Sequence, residues 1–294
     1  MQSKDNKFTK LMISYKTWKL TFKKRMIKNE KNLFLFSNKY KIMSFGFCHL
    51  SIVPLRKNPS DTSEMISQLL FGDIFEVIEK STKNWIFIRT AYDNYEGYID
   101  PKQQVEISSE DFIKFQKNIF VNQDIIKITC TLGQQTIPPA CSFTGKEMMI
   151  NDMLFKANDD LKEVSKPHAE EILKLAMSYL NAPYLWGGKT PFGIDCSGFT
   201  QMVYKMAGIK LFRDASQQAT QGEVLTFLEE AKIGDLAFFD NEEANIIHVG
   251  IIVSPNEIIH ASGRVRIDTL DHQGIFNKDI GEYTHQLRLV KTYF

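Results

Sequence analysis

Two helix-patterned stretches followed by a series of strand-patterned ones limit what the second half of this chain can fold into. Over residues 167–180, Ile172, Leu173, Leu175, Ala176 and Tyr179 fall on one helical stripe that opens with a proline and acidic residues. A glycine- and proline-rich loop, residues 182–193, leads into Asp195-Cys196-Ser197-Gly198. Phe199, Met202, Val203 and Met206 then recur at i, i+3, i+4 and i+7 before Gly208. Past a polar stretch, residues 235–239, 248–254 and 257–261 read as consecutive antiparallel strands. Helices first and strands afterwards point to an α+β domain over residues 166–294.

The first half has another texture. Residues 45–53 alternate, Pro54 and Asn58-Pro59-Ser60-Asp61 supply turn chemistry, and residues 74–78 and 85–90 are β-rich. Asp93-Asn94 makes a polar turn, and Glu96-Gly97-Tyr98-Ile99-Asp100-Pro101 closes the unit. Five short strands predict a small barrel over residues 43–107. Residues 108–165 hold weaker strand patterns at 125–130, 135–138 and 148–150, with Pro138-Pro139 and Thr144-Gly145 as turns, and are expected to form a second, degenerate barrel.

Charge separates the N-terminus from the rest. Residues 1–42 carry twelve Lys/Arg against Asp5 and Glu30, a charge of +10, which leaves −9 on the remainder. A mildly acidic body is not a nucleic-acid-binding surface. The basic leader is read as sequence upstream of a natural start at Met43, the alternative being an arm that touches a membrane or nucleic acid. Lysines interrupt it throughout and its apolar run 33–36 is four residues long, so neither a signal peptide nor a membrane span is expected. Cys48, Cys130, Cys141 and Cys196 form no C-x-x-C pair or regular framework, which suggests reduced thiols and a cytoplasmic location rather than a periplasmic one. The first three are expected to be small buried apolar residues.

Cys196 is the fourth and differs in position. It opens a well-patterned helix, where free N–H groups and the helix dipole favour a thiolate and offer donors to a developing oxyanion. A buried cysteine at a helix start fits that segment equally. His248 and His260 lie twelve residues apart on two apolar runs separated by Ser254-Pro255-Asn256. A hairpin centred on residue 254 would pair 248 with 260 and put both rings on one face; a shift of half a residue would break that parity. One imidazole could then take the thiol proton while the other orients it. A Cys-His-His zinc site is the alternative, against which stands the lack of any familiar ligand spacing. His49, His168, His272 and His285 fit no such geometry and are read as structural or surface residues.

Tyr184-Leu-Trp-Gly-Gly, Phe192-Gly-Ile-Asp-Cys196-Ser-Gly-Phe, Gly234-Asp-Leu, His248-Val-Gly-Ile and His260-Ala-Ser-Gly together resemble the NlpC/p60 cysteine peptidases over about residues 167–294. The resemblance implies a papain-like α+β core that cuts peptidoglycan peptides, with Cys196 as nucleophile, His248 as base, His260 as orienting member and Tyr184 beside the nucleophile. No metal or organic cofactor is implied. With an SH3-like barrel in front, the chain is similar to the dipeptidyl-peptidase VI-like branch. That branch hydrolyses the γ-D-glutamyl–diamino acid bond of muropeptides with a free N-terminal L-Ala. This implies Asp195 facing the ammonium group, Trp186, Ser197 and Ser216 as pocket walls, and Glu64 and Tyr95 of the first barrel closing the pocket. Glu64 as a solvated turn carboxylate, Tyr95 as a barrel-surface aromatic and Ser216 as a helix N-cap are the plainer readings. Two other functions use the same features: an acyltransferase or amidase, disfavoured because Cys196 precedes His248, and a non-catalytic wall-binding module, disfavoured by the intact Cys196, His248 and His260.

Overall fold

The computed structural model describes residues 44–80, 84–117, 119–131, 133–163 and 168–294. The basic leader of residues 1–42 and the helix-opening Pro167 lie outside them.

The first barrel region is one antiparallel sheet of β1 (Ser44–Phe47), β2 (Ile52–Arg56), β3 (Met65–Leu70), β4 (Ile74–Lys80), β5 (Ile86–Thr90), β6 (Glu96–Ile99) and β7 (Val105–Ile107), in the order β3-β2-β6-β5-β4-β1-β7. Alternation drives it: Val53 and Leu55 of β2 and Ile86 and Ile88 of β5 point into a core with Leu69, Phe75 and Ile99. There are seven strands rather than the five expected: the run 45–53 breaks at Cys48, whose N–H leaves the strand to bond Asp73 O at 2.8 Å, and Val105–Ile107 adds a strand beside β1. Pro54, expected in a turn, lies inside β2. That strand pairs along β3 but meets β6 only at Arg56, so Pro54 has the open side that a proline needs.

Residues 105–163 continue through α1 (Ser109–Lys114), capped by Ser108 Oγ accepting from Asp111 N at 3.0 Å, into short strands. These are β8 (Phe120–Val121), β9 (Ile126–Cys130), β10 (Gly133–Ile137), β11 (Ser142–Phe143), β12 (Glu147–Ile150), β13 (Met153–Ala157) and β14 (Lys162–Glu163). They form two small sheets, β10-β9-β13-β12 and β11-β8-β14. Val121, Ile128, Phe143 and Phe155 join one buried cluster with Phe47 and Phe71 of the first barrel and Ile172 and Phe199 of the helices that follow. This segment therefore has no core to itself.

The last region holds α2 (Ala169–Met177), α3 (Cys196–Met206) and α4 (Ala215–Gln218) with β15 (Lys189–Thr190), β16 (Gly193–Ile194), β17 (Glu223–Leu225), β18 (Leu236–Asp240), β19 (Ile246–Ser254), β20 (Glu257–Ser262), β21 (Arg264–Leu270), β22 (Gly274–Asn277) and β23 (Glu282–Thr292). Its main sheet runs β17-β23-β18-β19-β20-β21-β22, with β22 also pairing to β23. Helices then sheet make the expected α+β arrangement. Every residue of α3 is buried. Its apolar side packs on the sheet, and its polar side is met by the barrel: Gln201 Nε2 donates to Asp93 Oδ2 at 2.8 Å, and Lys205 Nζ to Asp73 Oδ1 at 3.1 Å. Gly208, at φ +89°, ends the helix, and Ile209 N caps Tyr204 O at 2.8 Å. Among the described residues, no helix is long and apolar enough to cross a membrane.

The β19–β20 hairpin does not centre on residue 254. Ser254 pairs with Glu257 across a two-residue turn, Pro255-Asn256. Continued regularly, that register would set Ile251 against His260 and throw His248 to the opposite face. A bulge between Ile252 and Ser254 shifts the ladder by one, so Gly250 faces His260 and His248 becomes its diagonal neighbour on the same face. The expected direct pairing of 248 with 260 is thus corrected to a diagonal one, while the shared face is present.

Candidate active site

Asp195 sets the position of the cysteine. As N-cap of α3 it accepts from Gly198 N at 2.6 Å, and its other oxygen accepts from Gly187 N at 2.8 Å, so one carboxylate fastens the loop 182–193 to the helix start. Gly187 has φ +76°, and a Cβ there would sit 2.3 Å from Met65 O, so glycine is required where the loop crosses β3. Cys196 follows as the first residue of α3, almost fully buried.

Cys196 opens α3, and that helix packs against β19, the strand that carries His248. Behind His248 runs a hydrogen-bonded chain. His248 Nε2 is 2.8 Å from His260 Nδ1, and His260 Nε2 is 3.0 Å from Asp268 Oδ2. Asp268 is in turn met by Arg266, whose Nη2 donates to Oδ1 at 2.8 Å. Burial raises the Asp268 carboxyl, but the bonds from His260 and Arg266 outweigh it and hold the group below the ordinary range. An ionised carboxylate only accepts, so His260 donates from Nε2 and accepts at Nδ1. His248 must then donate from Nε2, which leaves its Nδ1 as the lone pair of a base. The bonds from His260 to Asp268 and from His248 to His260 thus fix the tautomer that proton abstraction needs.

Burial opposes the ionisation that a helix start favours in a cysteine. It pushes the Cys196 thiol up to about 12, with Asp195 adding to the shift, and the N–H groups of Val249 and Ser197 and the Arg213 cation only partly offset it. Burial, then His285 and His260, also drives His248 well below its ordinary value. Burial therefore works against the thiolate that the free N–H groups of the helix start favour, and against protonation of His248.

A pocket of about 660 Å³ opens in front of the sulfur. It gathers Glu64 and Tyr95 from the first barrel with Trp186, Asp195, Cys196, Ser197 and Ser216, seven of the ten residues singled out in the sequence. Trp186 Nε1 donates to Glu64 Oε1 at 2.9 Å, and Lys57 Nζ bonds Glu64 Oε2 at 3.0 Å, so Glu64 is tied across the pocket mouth. Tyr184, partly exposed, has its phenol raised to about 12 by burial and then by the charges of Cys196 and Asp195. Ser216 is not the helix cap: Asp214 holds that position, and Ser216 is exposed within α4.

Several residues went unread in the sequence. Arg213 is completely buried and donates through Nη1 and Nη2 to the two Asp195 oxygens at 3.0 and 2.5 Å, to Ser197 Oγ at 2.9 Å, and through Nε to Ser67 Oγ of β3 at 3.0 Å. Asp195 therefore accepts four N–H donors, unlike the open carboxylate expected to face an ammonium group. The same segment places Asp214 in the pocket, bonded by the Tyr95 hydroxyl at 3.1 Å. Asp268 was legible in principle, since β21 pairs His260 with Arg266 and puts residue 268 one step along the same face. His285, read as structural or surface, stacks on His248 with centroids 4.0 Å apart and planes 27° apart.

The ring nitrogens of His248, His260 and His285 lie within 4.8 Å of one another. As placed they do not form a metal cradle. The facing nitrogens of His248 and His260 are hydrogen-bonded to each other at 2.8 Å, so both cannot be ligands to one ion in this arrangement.

Residues 181–283 match the model of the NlpC/P60 family, and residues 55–103 match that of the bacterial dipeptidyl-peptidase Sh3 domain. The chain carries an NlpC/P60 domain behind a bacterial dipeptidyl-peptidase SH3 domain. The NlpC/P60 domain is that of a cysteine peptidase family, and it contains Cys196, His248 and His260. Dipeptidyl-peptidase 6 of Lysinibacillus sphaericus is 27% identical over 253 residues, 74% of this chain and 89% of that protein. Gamma-D-glutamyl-L-lysine dipeptidyl-peptidase of Bacillus subtilis strain 168 is 42% identical over 98 residues, a third (33%) of each chain. The crystal structure of an NlpC/P60 family protein from Bacillus cereus ATCC 10987 superimposes with a TM-score of 0.71 at 19% identity, covering 85% of this chain and 99% of the other. That likeness is one of fold, and it extends through the barrel regions as well as the NlpC/P60 domain.

Proposed function

We propose that this protein is a cysteine dipeptidyl-peptidase that releases L-Ala-γ-D-Glu from peptidoglycan-derived peptides by cutting the bond between γ-D-glutamate and a diamino acid. The observation that carries the reading is the hydrogen-bonded Asp268–His260–His248 chain on strands packed against the Cys196 helix, together with a pocket that brings Cys196 to a wall formed by the SH3 barrel. His248 Nδ1 takes the thiol proton as sulfur attacks the γ-glutamyl carbonyl. N–H groups at the start of α3 and the Tyr184 hydroxyl are the donors for the oxyanion. The imidazolium then gives its proton to the departing amine, leaving a thioester on Cys196. Water, deprotonated by His248, resolves it and regenerates the thiol.

The substrate class is supported by the names of the relatives above and by the pocket itself. Glu64, tied to Trp186, and Tyr95 bring the first barrel into the pocket wall, which favours a short peptide end over a continuing wall strand. A preference for already trimmed peptides suits a cytoplasmic recycling role. Product analysis by mass spectrometry on L-Ala-γ-D-Glu-L-Lys and its meso-diaminopimelate counterpart, each with a free or acetylated amine, tests it. Release of the dipeptide from the free forms, abolished by Cys196→Ala, is expected; equal release by that variant contradicts the mechanism.

A further inference from the structure

A hydrogen bond at one ring nitrogen fixes that end of an imidazole and leaves its plane free to turn about the bond. His248 is held in this way by His260, Nε2 to Nδ1 at 2.8 Å. Packing sets the plane. His285 of β23 lies against the face of His248, centroids 4.0 Å and planes 27° apart, and Phe239 of β18 meets the same ring at 5.8 Å and a tilt of 48°. His285 is itself held: Thr284 Oγ1 is 2.8 Å from its Nδ1, and Phe239 crosses its ring at 66° and 6.0 Å.

The backbone is irregular where it makes this contact. Phe239 pairs with His248 on one side and with Leu287 on the other, so the three residues form a row on one face of the sheet. His285, two residues from Leu287, shares that face. It does so because β23 carries an extra residue, Arg288, where the register shifts between Phe238 and Phe239. A regular ladder continued from the Phe238–Leu289 pair would set Arg288 against Phe239 and turn His285 to the opposite face. The bulge between Ile252 and Ser254 brings His260 to His248; this second one brings His285. Two separate breaks in the ladder thus serve one ring. His285 also meets it uncharged near neutral pH. Burial, then His260, pushes His285 down to about 4, with Asp268 pulling the other way. Among the described residues, those two and His248 are the titratable groups acting on it; β18 offers Phe239 and β22 sets Ile275 opposite, neither of them charged.

We propose that His285 is a positioning residue for the base: its face fixes the plane of the His248 ring, so that Nδ1 keeps one direction while Nε2 stays bonded to His260. This rests on the reading of His248 as base given above. The proton still passes from the Cys196 thiol to His248 Nδ1, and His285 exchanges none. Its ring has to stay uncharged, because a cation stacked at 4.0 Å would repel the imidazolium that His248 becomes.

The test compares the unmodified protein with His285→Ala and His285→Phe, using L-Ala-γ-D-Glu-L-Lys as substrate. His285 is half-buried at the sheet surface, and melting curves check that both variants fold. His285→Ala should lower kcat by about 10- to 100-fold with KM within about twofold, the pattern of a misplaced reacting group. His285→Phe restores a flat, uncharged face and should keep kcat within about threefold of the unmodified protein. In ¹⁵N-histidine spectra of the Cys196→Ala protein, the His248 Nε2–H signal should be sharp, should broaden or vanish with His285→Ala, and should return with His285→Phe. A kcat unchanged in His285→Ala, a loss confined to KM, or a phenylalanine variant as impaired as the alanine one overturns the assignment. Absence of turnover by the unmodified protein removes the hydrolase reading, and the spectra then decide alone: a His248 signal indifferent to His285→Ala overturns the positioning role, and one lost with alanine and regained with phenylalanine upholds it.

Discussion

Replacing Arg213 with methionine should be the most damaging single change behind the site. The guanidinium is 1% exposed and makes four hydrogen bonds, two to Asp195, one to Ser197 and one to Ser67. Methionine fills much of the same volume, so the cost is chiefly electrostatic: Asp195 stays buried without its cation. Breaking a buried pair from one side costs about 3–5 kcal/mol. That is a large part of the roughly 5–15 kcal/mol that holds a protein folded. At about 2–4 °C per kcal/mol for a chain of this size, the melting temperature should fall by roughly 6–20 °C. Urea unfolding followed by tryptophan fluorescence gives the free energy directly. The double variant Arg213→Met/Asp195→Asn removes the orphaned charge while keeping the cap, and should be about 2–3 kcal/mol more stable than the sum of the two single changes. A loss under about 1 kcal/mol for Arg213→Met, or additivity within about 0.5 kcal/mol, would refute the view that this pair organises the catalytic loop.

Three further outcomes follow from the site. Asp268→Asn can donate to His260 Nε2 and so reverse the tautomers along the chain, and kcat should fall by about 100-fold or more with KM little changed; steady-state kinetics that move only KM would contradict the tautomer argument. Because burial holds Cys196 as a thiol, its alkylation by iodoacetamide should climb by about tenfold per pH unit from pH 6 to 9, whereas a plateau over pH 5–7 would reveal a standing thiolate. His248 is depressed well below its usual value and His285 to about 4, so the neutral rings contribute stability above about pH 6.5 that is lost as pH falls toward the folded values. Thermal melts from pH 7 to 5 should show the loss, and His285→Phe, which keeps a ring on His248, should make it shallower.

The residues proposed to carry the chemistry were legible in the sequence by their type; those that act by burial were not. Cys196, His248 and His260 stand out because a thiol at a helix start and imidazoles on apolar strands have few other uses. Their convergence depends on the bulge at Val253, a residue indistinguishable from any other in an apolar strand, so hairpin parity could be stated only as a condition. Arg213 is an ordinary surface residue by composition, and only the fold reveals it as the partner of Asp195. For Cys196 too, the helix-end N–H groups are visible in the sequence, whereas the surrounding packing that raises its thiol is not. Residues 105–163 resisted assignment because their apolar positions complete a core shared with the helices and the first barrel.

The attack of Cys196 itself is most directly tested by trapping. Rapid acid quench of the protein with L-Ala-γ-D-Glu-L-Lys, followed by peptide mapping, should find L-Ala-γ-D-Glu joined as a thioester to the peptide bearing Cys196, and no adduct in Cys196→Ala. An adduct on another residue, or tripeptide cleavage that proceeds undiminished without that sulfur, would contradict it.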